Sequence, residues 1–524
     1  MGIYLNPGSD KFQEALRSAI YVDKSSMIAY TNRIFKSSNK YICVSRPRRF
    51  GKSMAANMLS AYYDRTVDGS RVFRGLAIAS DADFDTYRNQ CDVLFLNMQE
   101  FLSQTNSMED MLALVRRSVL WDICMTYPDY MYFDKQNLSR TMADVYMQSK
   151  RPFVVIIDEW DCIFREYRND YQAQRQYLDF LRDWLKDKAY IGLAYMTGIL
   201  PIKKYGTHSA LNMFTEFSMT NPRELTPFVG FTVEEVRQLC EQYHMDYEET
   251  MSWYDGYQFR DMTSICNPRS VVSAMESGIL DTYWTETETF EALKIYIDMN
   301  FSGLRDTIVK LMAGGRQKID IRSFVNDMTT FHSADDVLTL LVHLGYLGYD
   351  FDRKEVFIPN REIMGEYVTA TRVSQWSEIV HSVLQSDRLL QATWNGEEET
   401  VAQGIEEAHL NTSHLQYNDE NALSYTVSLA YYSARQYYTI VREMPSGKGF
   451  ADMVFLPKKK YADKPAMVVE LKWDADAETA LRQIRDKRYT EALREYKGNI
   501  LYVGITYDRS SKKHTCRIEK ETIG

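Results

Sequence analysis

The chain has 524 residues, 45% hydrophobic and 26% charged, which is the balance of a globular protein too long for one ordinary domain. Its net charge of −10 draws the whole molecule to no nucleic acid, which weighs against a coat protein but leaves room for a local basic groove. No run approaches the roughly 20 apolar residues of a membrane helix.

The N-terminus lacks a basic stretch followed by an apolar one, so no secretory signal is expected. Seven cysteines include no C-x-x-C pair, and the eight histidines are scattered. Buried free thiols in a reducing, cytoplasmic setting are therefore expected, without a zinc site or a membrane partner.

Residues 1 to about 40 read as helical, because Phe12, Leu16 and Ile20 recur at helical spacing. A short apolar strand follows at 41–45, then a basic turn at 46–53 and a helical pattern through Met54, Met58, Leu59 and Tyr62. Further buried strands are expected at 93–96, 153–157 and 191–197, with long amphipathic stretches between them. That alternation predicts a parallel, doubly wound sheet through about residue 220. In the middle region Thr232 is placed to cap a helix, with Glu235 three residues on. A helix at 334–344 precedes a hairpin with its turn near 352–354, a pattern compatible with a winged-helix unit. Residues 376–410 read as helical. From residue 420 the pattern becomes helix (422–436), strand, hairpin, strand, helix and a last strand at 500–505.

The segment Arg46-Pro47-Arg48-Arg49-Phe50-Gly51-Lys52-Ser53, with Met54 opening the helix, ends as a phosphate-binding loop ends. Gly51 permits close backbone approach, Lys52 neutralises the β- and γ-phosphates, and the Ser53 hydroxyl is expected on Mg²⁺. Arg46 stands where such loops carry their first glycine, and Pro47 removes one N–H donor. The apolar run 154–157 ends in Asp158 and Glu159. Asp158 is expected to hold Mg²⁺ and Glu159 to polarise the attacking water. Thr197, ending the next apolar run, is a candidate γ-phosphate contact. Arg223 and Arg260 are candidate arginines for a cis or trans role. ATP with Mg²⁺ is the cofactor these residues imply.

The segments 21–24, 46–53, 157–161, 253–259 and 267–268 resemble the AAA-ATPase-like family, in which the Arg-Pro-Arg-Arg-Phe loop is usual. The resemblance spans nearly the whole chain and implies ATP binding.

The C-terminal region carries Asp452 on one apolar strand and Glu470 and Lys472 on the next. Side chains alternate along a strand, so Glu470 and Lys472 share a face, and a hairpin brings Asp452 beside them. Two converging carboxylates call for a divalent cation, with the Leu471 carbonyl as a further donor. Such a site suits metal-assisted phosphodiester cleavage, with Lys472 orienting water or offsetting phosphate charge. Lys458, Lys459, Lys460, Arg482, Arg485, Lys487 and Arg488 supply local positive charge for a backbone. The pattern resembles the PD-(D/E)XK nuclease superfamily. That resemblance implies that Gln483 faces the site, that Tyr489 helps to place substrate and that Glu420 contributes a further metal carboxylate.

The expected fold is α/β, in three parts. A P-loop NTPase with a parallel sheet spans 1–225. A helical, winged-helix-like region spans 226–375. A restriction-endonuclease-like domain spans 376–524. The expected function is ATP binding and hydrolysis coupled to a Mg²⁺- or Mn²⁺-dependent nuclease acting on nucleic acid, with DNA the favoured target. A homo-oligomer is compatible with this reading. The competing reading is a signalling or scaffold ATPase whose C-terminal unit binds nucleic acid without cutting it.

Overall fold

The computed structural model describes residues 2–523 except 203–210, 222, 260–261, 285–289, 300, 326–328, 374–376, 412–419, 447–448, 475–476 and 487–497. The chain separates into two compact units, one of residues 1–287 with 318–363, the other of 288–317 with 364–524.

The first unit is built on a five-stranded parallel sheet. Its strands are β1 (Tyr41–Ser45), β2 (Asp92–Asn97), β3 (Phe153–Asp158), β4 (Ile191–Gly198) and β5 (Thr215–Phe217), in the order β2-β3-β4-β1-β5. Every residue of β1, β3 and β4 is buried, as expected when helices cover both faces of a parallel sheet. The register aligns the strand ends. Asn97 lies beside Asp158, Val44 beside Thr197, and Ser45 beside Gly198. The carboxyl ends of the central strands therefore share one rim, the place where open α/β sheets bind ligands.

The N-terminal segment is not one helix. Helices Asp10–Leu16 and Met27–Ile34 flank a turn in which Asp23 accepts from the Ser25 and Ala77 backbone N–H groups. In the segment between the two helices, Lys24 donates to the Pro227 carbonyl at 2.7 Å and pairs with Glu235 at 2.6 Å. Beyond β5, helix Val233–Tyr243 carries the expected capping box. The Thr232 hydroxyl accepts from the Glu235 N–H, and the Glu235 carboxylate accepts from the Thr232 N–H. Helix Ala334–Leu344 leads into antiparallel strands Gly348–Asp350 and Glu355–Phe357, the expected helix and hairpin.

The second unit contains helices Ser377–Asn395, Glu398–Asn411 and Glu420–Ala430 and a five-stranded mixed sheet. Its strands, in spatial order, are Tyr438–Ser446, Gly449–Pro457, Ala466–Trp473, Gly498–Asp508 and Lys513–Ile523. Only the pair Ala466–Trp473 and Gly498–Asp508 is parallel. The last strand has no counterpart in the sequence reading. Its charged alternation, His514-Thr515-Cys516-Arg517-Ile518-Glu519, is that of a half-solvated edge strand.

One sheet face packs Met453, Phe455, Met467, Val469 and Leu471 against the helices. The other packs Val454, Ala466 and Val468 against Leu481 and Ile484 of helix Ala477–Asp486. All seven cysteines are free, and all but the half-buried Cys124 are buried. Among the described residues no helix is long and apolar enough to cross a membrane.

Candidate functional site

In the first unit the loop 46–51 joins β1 to helix Lys52–Tyr63, and two left-handed residues shape it. Arg49 has φ +64° and Gly51 φ +89°. A Cβ at Gly51 would meet no atom within 4 Å, so glycine is favoured there by its dihedral rather than by crowding. The turn presents the helix N-terminus, with its unpaired N–H groups, to the space above the sheet. Lys52 is buried, and its ammonium donates to the Pro47 carbonyl at 2.8 Å. Burial lowers its pKa, while Glu159, Asp158 and Asp161 oppose that shift.

Arg46 points elsewhere. Its guanidinium is fully buried, donates to the Ser45 and Phe217 carbonyls at 3.0 and 3.1 Å, and lies 4.8 Å from the Phe259 ring. Burial brings its pKa down to about 10. The side chain that replaces the usual glycine thus ties the loop to the end of β5.

The acids lie at the end of β3. Asp158 is buried and accepts a hydrogen bond at 3.1 Å from the Glu159 N–H, with Ser53 and Lys52 close enough to act on its charge. Burial raises its pKa, and Ser53 and Lys52 hold the shift back. Ser53, Lys52 and Asp158 are therefore brought together. Glu159 has φ +53°, a conformation few non-glycine residues adopt, and pairs with Arg165. Asp161 accepts from the Ile199 and Leu200 N–H groups at 3.0 and 2.8 Å, clamping the end of β4. The hydroxyl of Thr197 is buried and has no hydrogen-bond partner among the described residues.

A cavity of about 1240 Å³ opens beside the loop. Arg48, Arg49, Phe50, Gly51, Lys52, Ser53, Met54 and Glu159 line it, while Arg46, Pro47, Asp158 and Thr197 do not. Ile20, Tyr21, Val22, Phe231 and Val272 also line it and make part of its wall apolar. Arg165 and Arg269 also reach the cavity, and neither was picked out from the sequence. For Arg165 the available signal was its spacing, four residues after Asp161 and six after Glu159. Arg223 is exposed and outside the cavity lining, and Arg260 lies outside the described residues.

In the second unit alternation places the polar residues. Met467, Val469 and Leu471 enter the main core, so Glu470 and Lys472 join Ala466 and Val468 on the opposite face. Met453 pairs with Val469, which puts Asp452 next to Glu470 on that same face. Helix Ala477–Asp486 lies over it at close range. A Cβ at Gly504 would come 2.7 Å from the Ala477 carbonyl oxygen. This approach brings the Gln483 amide onto the Glu470 carboxylate, which is fully buried. Lys472 Nζ stands 3.4 Å from the same carboxylate and donates to the Leu471 carbonyl at 2.9 Å. The Leu471 N–H donates to Asp452 at 2.7 Å. Asp452, Glu470, Lys472 and Gln483 therefore converge.

Glu420 begins its helix, but its side chain lies outside the described residues, as do the Arg485 side chain and residues 487–489. Among the described residues no group of three or more His, Cys, Asp and Glu side chains is placed to hold a metal ion. The two carboxylates and the Leu471 carbonyl are nonetheless hard oxygen donors of the kind Mg²⁺ takes.

Residues 8–207 match the family described as "Predicted AAA-ATPase", and residues 419–517 match the PD-(D/E)XK nuclease superfamily. A protein from the vnfD 5′ region of Azotobacter chroococcum is 22% identical over 277 residues, 51% of each chain. The chain thus spans about half the length of this curated relative. A Walker-type ATPase of Pyrococcus abyssi aligns at 11% identity over 66% of this chain and 94% of its own, with a TM-score of 0.35. The ORC2 protein of Aeropyrum pernix aligns at 12% identity over 68% of this chain and 97% of its own, with a TM-score of 0.30.

Proposed function

We propose, for a chain that joins an AAA-ATPase-like region to a PD-(D/E)XK nuclease superfamily region, that the first binds and hydrolyses ATP and the second cuts nucleic acid, DNA in the first instance. The observation that carries the nuclease half is the convergence of Asp452, Glu470, Lys472 and Gln483 on one sheet face. Asp452, Glu470 and the Leu471 carbonyl would hold Mg²⁺ or Mn²⁺, which supplies charge against the negative phosphodiester. Lys472 orients water and offsets phosphate charge, and Gln483 fixes the Glu470 carboxylate.

In the ATPase half Ser53 and Asp158 would hold the Mg²⁺ that accompanies ATP, and Lys52 leaves the Pro47 carbonyl for the phosphates. Glu159 takes a proton from water as its oxygen bonds to the γ-phosphorus. The bond from that phosphorus to the β,γ-bridging oxygen breaks, and its electron pair leaves with ADP.

The test is plasmid DNA incubated with the full chain and Mg²⁺ or Mn²⁺, with and without ATP. Metal-dependent cleavage abolished by Asp452→Asn is expected. Metal binding without cleavage of any DNA or RNA would favour the scaffold reading, to which the net charge of −10 also leans.

A further inference from the structure

The geometry points to Arg165 as a positioning residue that restrains Glu159 until a γ-phosphate arrives, so that one chain senses its own nucleotide. The inference rests on the ATPase reading above.

Arg165 sits on the one-turn helix Cys162–Glu166 directly after the acids of β3. Its guanidinium grips the Glu159 carboxylate and lies 3.9 Å from Asp161. Its side chain is 12% exposed, and both it and Glu159 line the cavity that Gly51, Lys52 and Ser53 border. A carboxylate held in an ion pair with a guanidinium must break that pair before it can turn toward an attacking water. Glu159 is therefore restrained when the phosphate site lacks a γ-phosphate.

Arg165 and Lys52 line the same cavity, so the guanidinium borders the space where the phosphates would lie. ATP brings there a γ-phosphate that competes with Glu159 for Arg165, and guanidinium binds phosphate in the same bidentate manner as carboxylate. ADP brings no such competitor. Arg165 therefore changes partner with ATP and stays with Glu159 with ADP. Asp161, anchored by the Ile199 and Leu200 N–H groups, keeps the arginine stem in place through the exchange.

A binding cycle on the full chain tests this. The ligands are ADP and the non-hydrolysable β,γ-imido analogue of ATP, each with Mg²⁺, and the method is calorimetry. Arg165→Gln should weaken the triphosphate analogue by at least about fivefold, the lower end of ordinary coupling between sites, and leave ADP within about twofold. Glu159→Gln, which releases Arg165, should strengthen the analogue by a similar factor without changing ADP. That gain should vanish in the Glu159→Gln/Arg165→Gln double variant. A gain that persists in the double variant, or an Arg165→Gln variant that loses both nucleotides equally, overturns the switch. If thermal melting shows Arg165→Gln unfolded, Arg165→Lys replaces it. A Glu159→Gln variant with the wild-type ratio of analogue to ADP affinity overturns the proposal without any arginine variant. Wild-type protein that binds neither nucleotide overturns the ATPase reading itself, a different outcome from equal and Arg165-independent binding.

Discussion

Lys52 and Asp452 show how single side chains divide their work. Lys52 is buried with its ammonium on a carbonyl of its own loop, so its charge is stored for a ligand rather than spent on a neighbouring acid. Lys52→Ala should abolish nucleotide binding in calorimetry while the chain stays folded, and unchanged affinity in a folded variant would refute the assignment. Asp452 accepts a backbone hydrogen bond, which an asparagine oxygen can also accept. Asp452→Asn should therefore keep the melting temperature near that of wild type and lose Mn²⁺ binding, two readouts that separate charge from scaffold. Much of this was legible in the sequence. Lys52, Ser53, Asp158 and Glu159 sit at motif spacing, and alternation alone put Glu470 and Lys472 on one face. Gln483 followed only from a resemblance, since helical spacing does not say which strand a helix covers. Arg165 was not legible, because its partners depend on how a short helix turns after β3. Nor was the direction taken by Arg46, which only the position of Phe217 and Phe259 decides.

The local elements carry measurable stability. Thr232 and Glu235 satisfy each other's backbone N–H groups, and Glu235 also pairs with Lys24 at 2.6 Å. Thr232→Ala should cost about 1 kcal/mol in denaturant unfolding, the usual loss for an N-cap oxygen. Glu362, at the start of helix Arg361–Val373, accepts from the Tyr283 and Trp284 N–H groups and is 1% exposed. Burial pushes its pKa up from 4.5 to about 7, against those hydrogen bonds. The folded value lies above the unfolded one. Its contribution to stability is therefore complete below about pH 4.5 and lost as pH rises through 7. Melting between pH 5 and 8 should show wild type losing stability relative to Glu362→Gln, by at most ~3 kcal/mol at ~1.4 kcal/mol per pH unit. A difference that stays flat with pH would rule this out. The capping box was readable because its signature is local. The break between Leu16 and Met27 was not, because Phe12 and Ile20 are both buried and keep helical spacing across a turn.

For the molecule as a whole, two candidate sites on one chain make their independence measurable. Asp452→Asn should stop cleavage and leave ATP hydrolysis unchanged. Lys52→Ala should remove any effect of ATP on cleavage rate in the plasmid assay. Equal stimulation by ATP in wild type and Lys52→Ala would show that the nucleotide acts elsewhere. The parallel sheet and the hairpin of the second unit were legible from apolar runs, whereas the charged edge strand Lys513–Ile523 was hidden by its solvated face. The free cysteines add a consequence of another kind. Cys43 and Cys162 lie in the core of the first unit and Cys516 in that of the second, each closed to reagents until its own surroundings open. Alkylation followed by mass mapping then dates two openings in one sample, with Cys124 as the internal standard that reacts first, and the lag between the labels tells which half lets go.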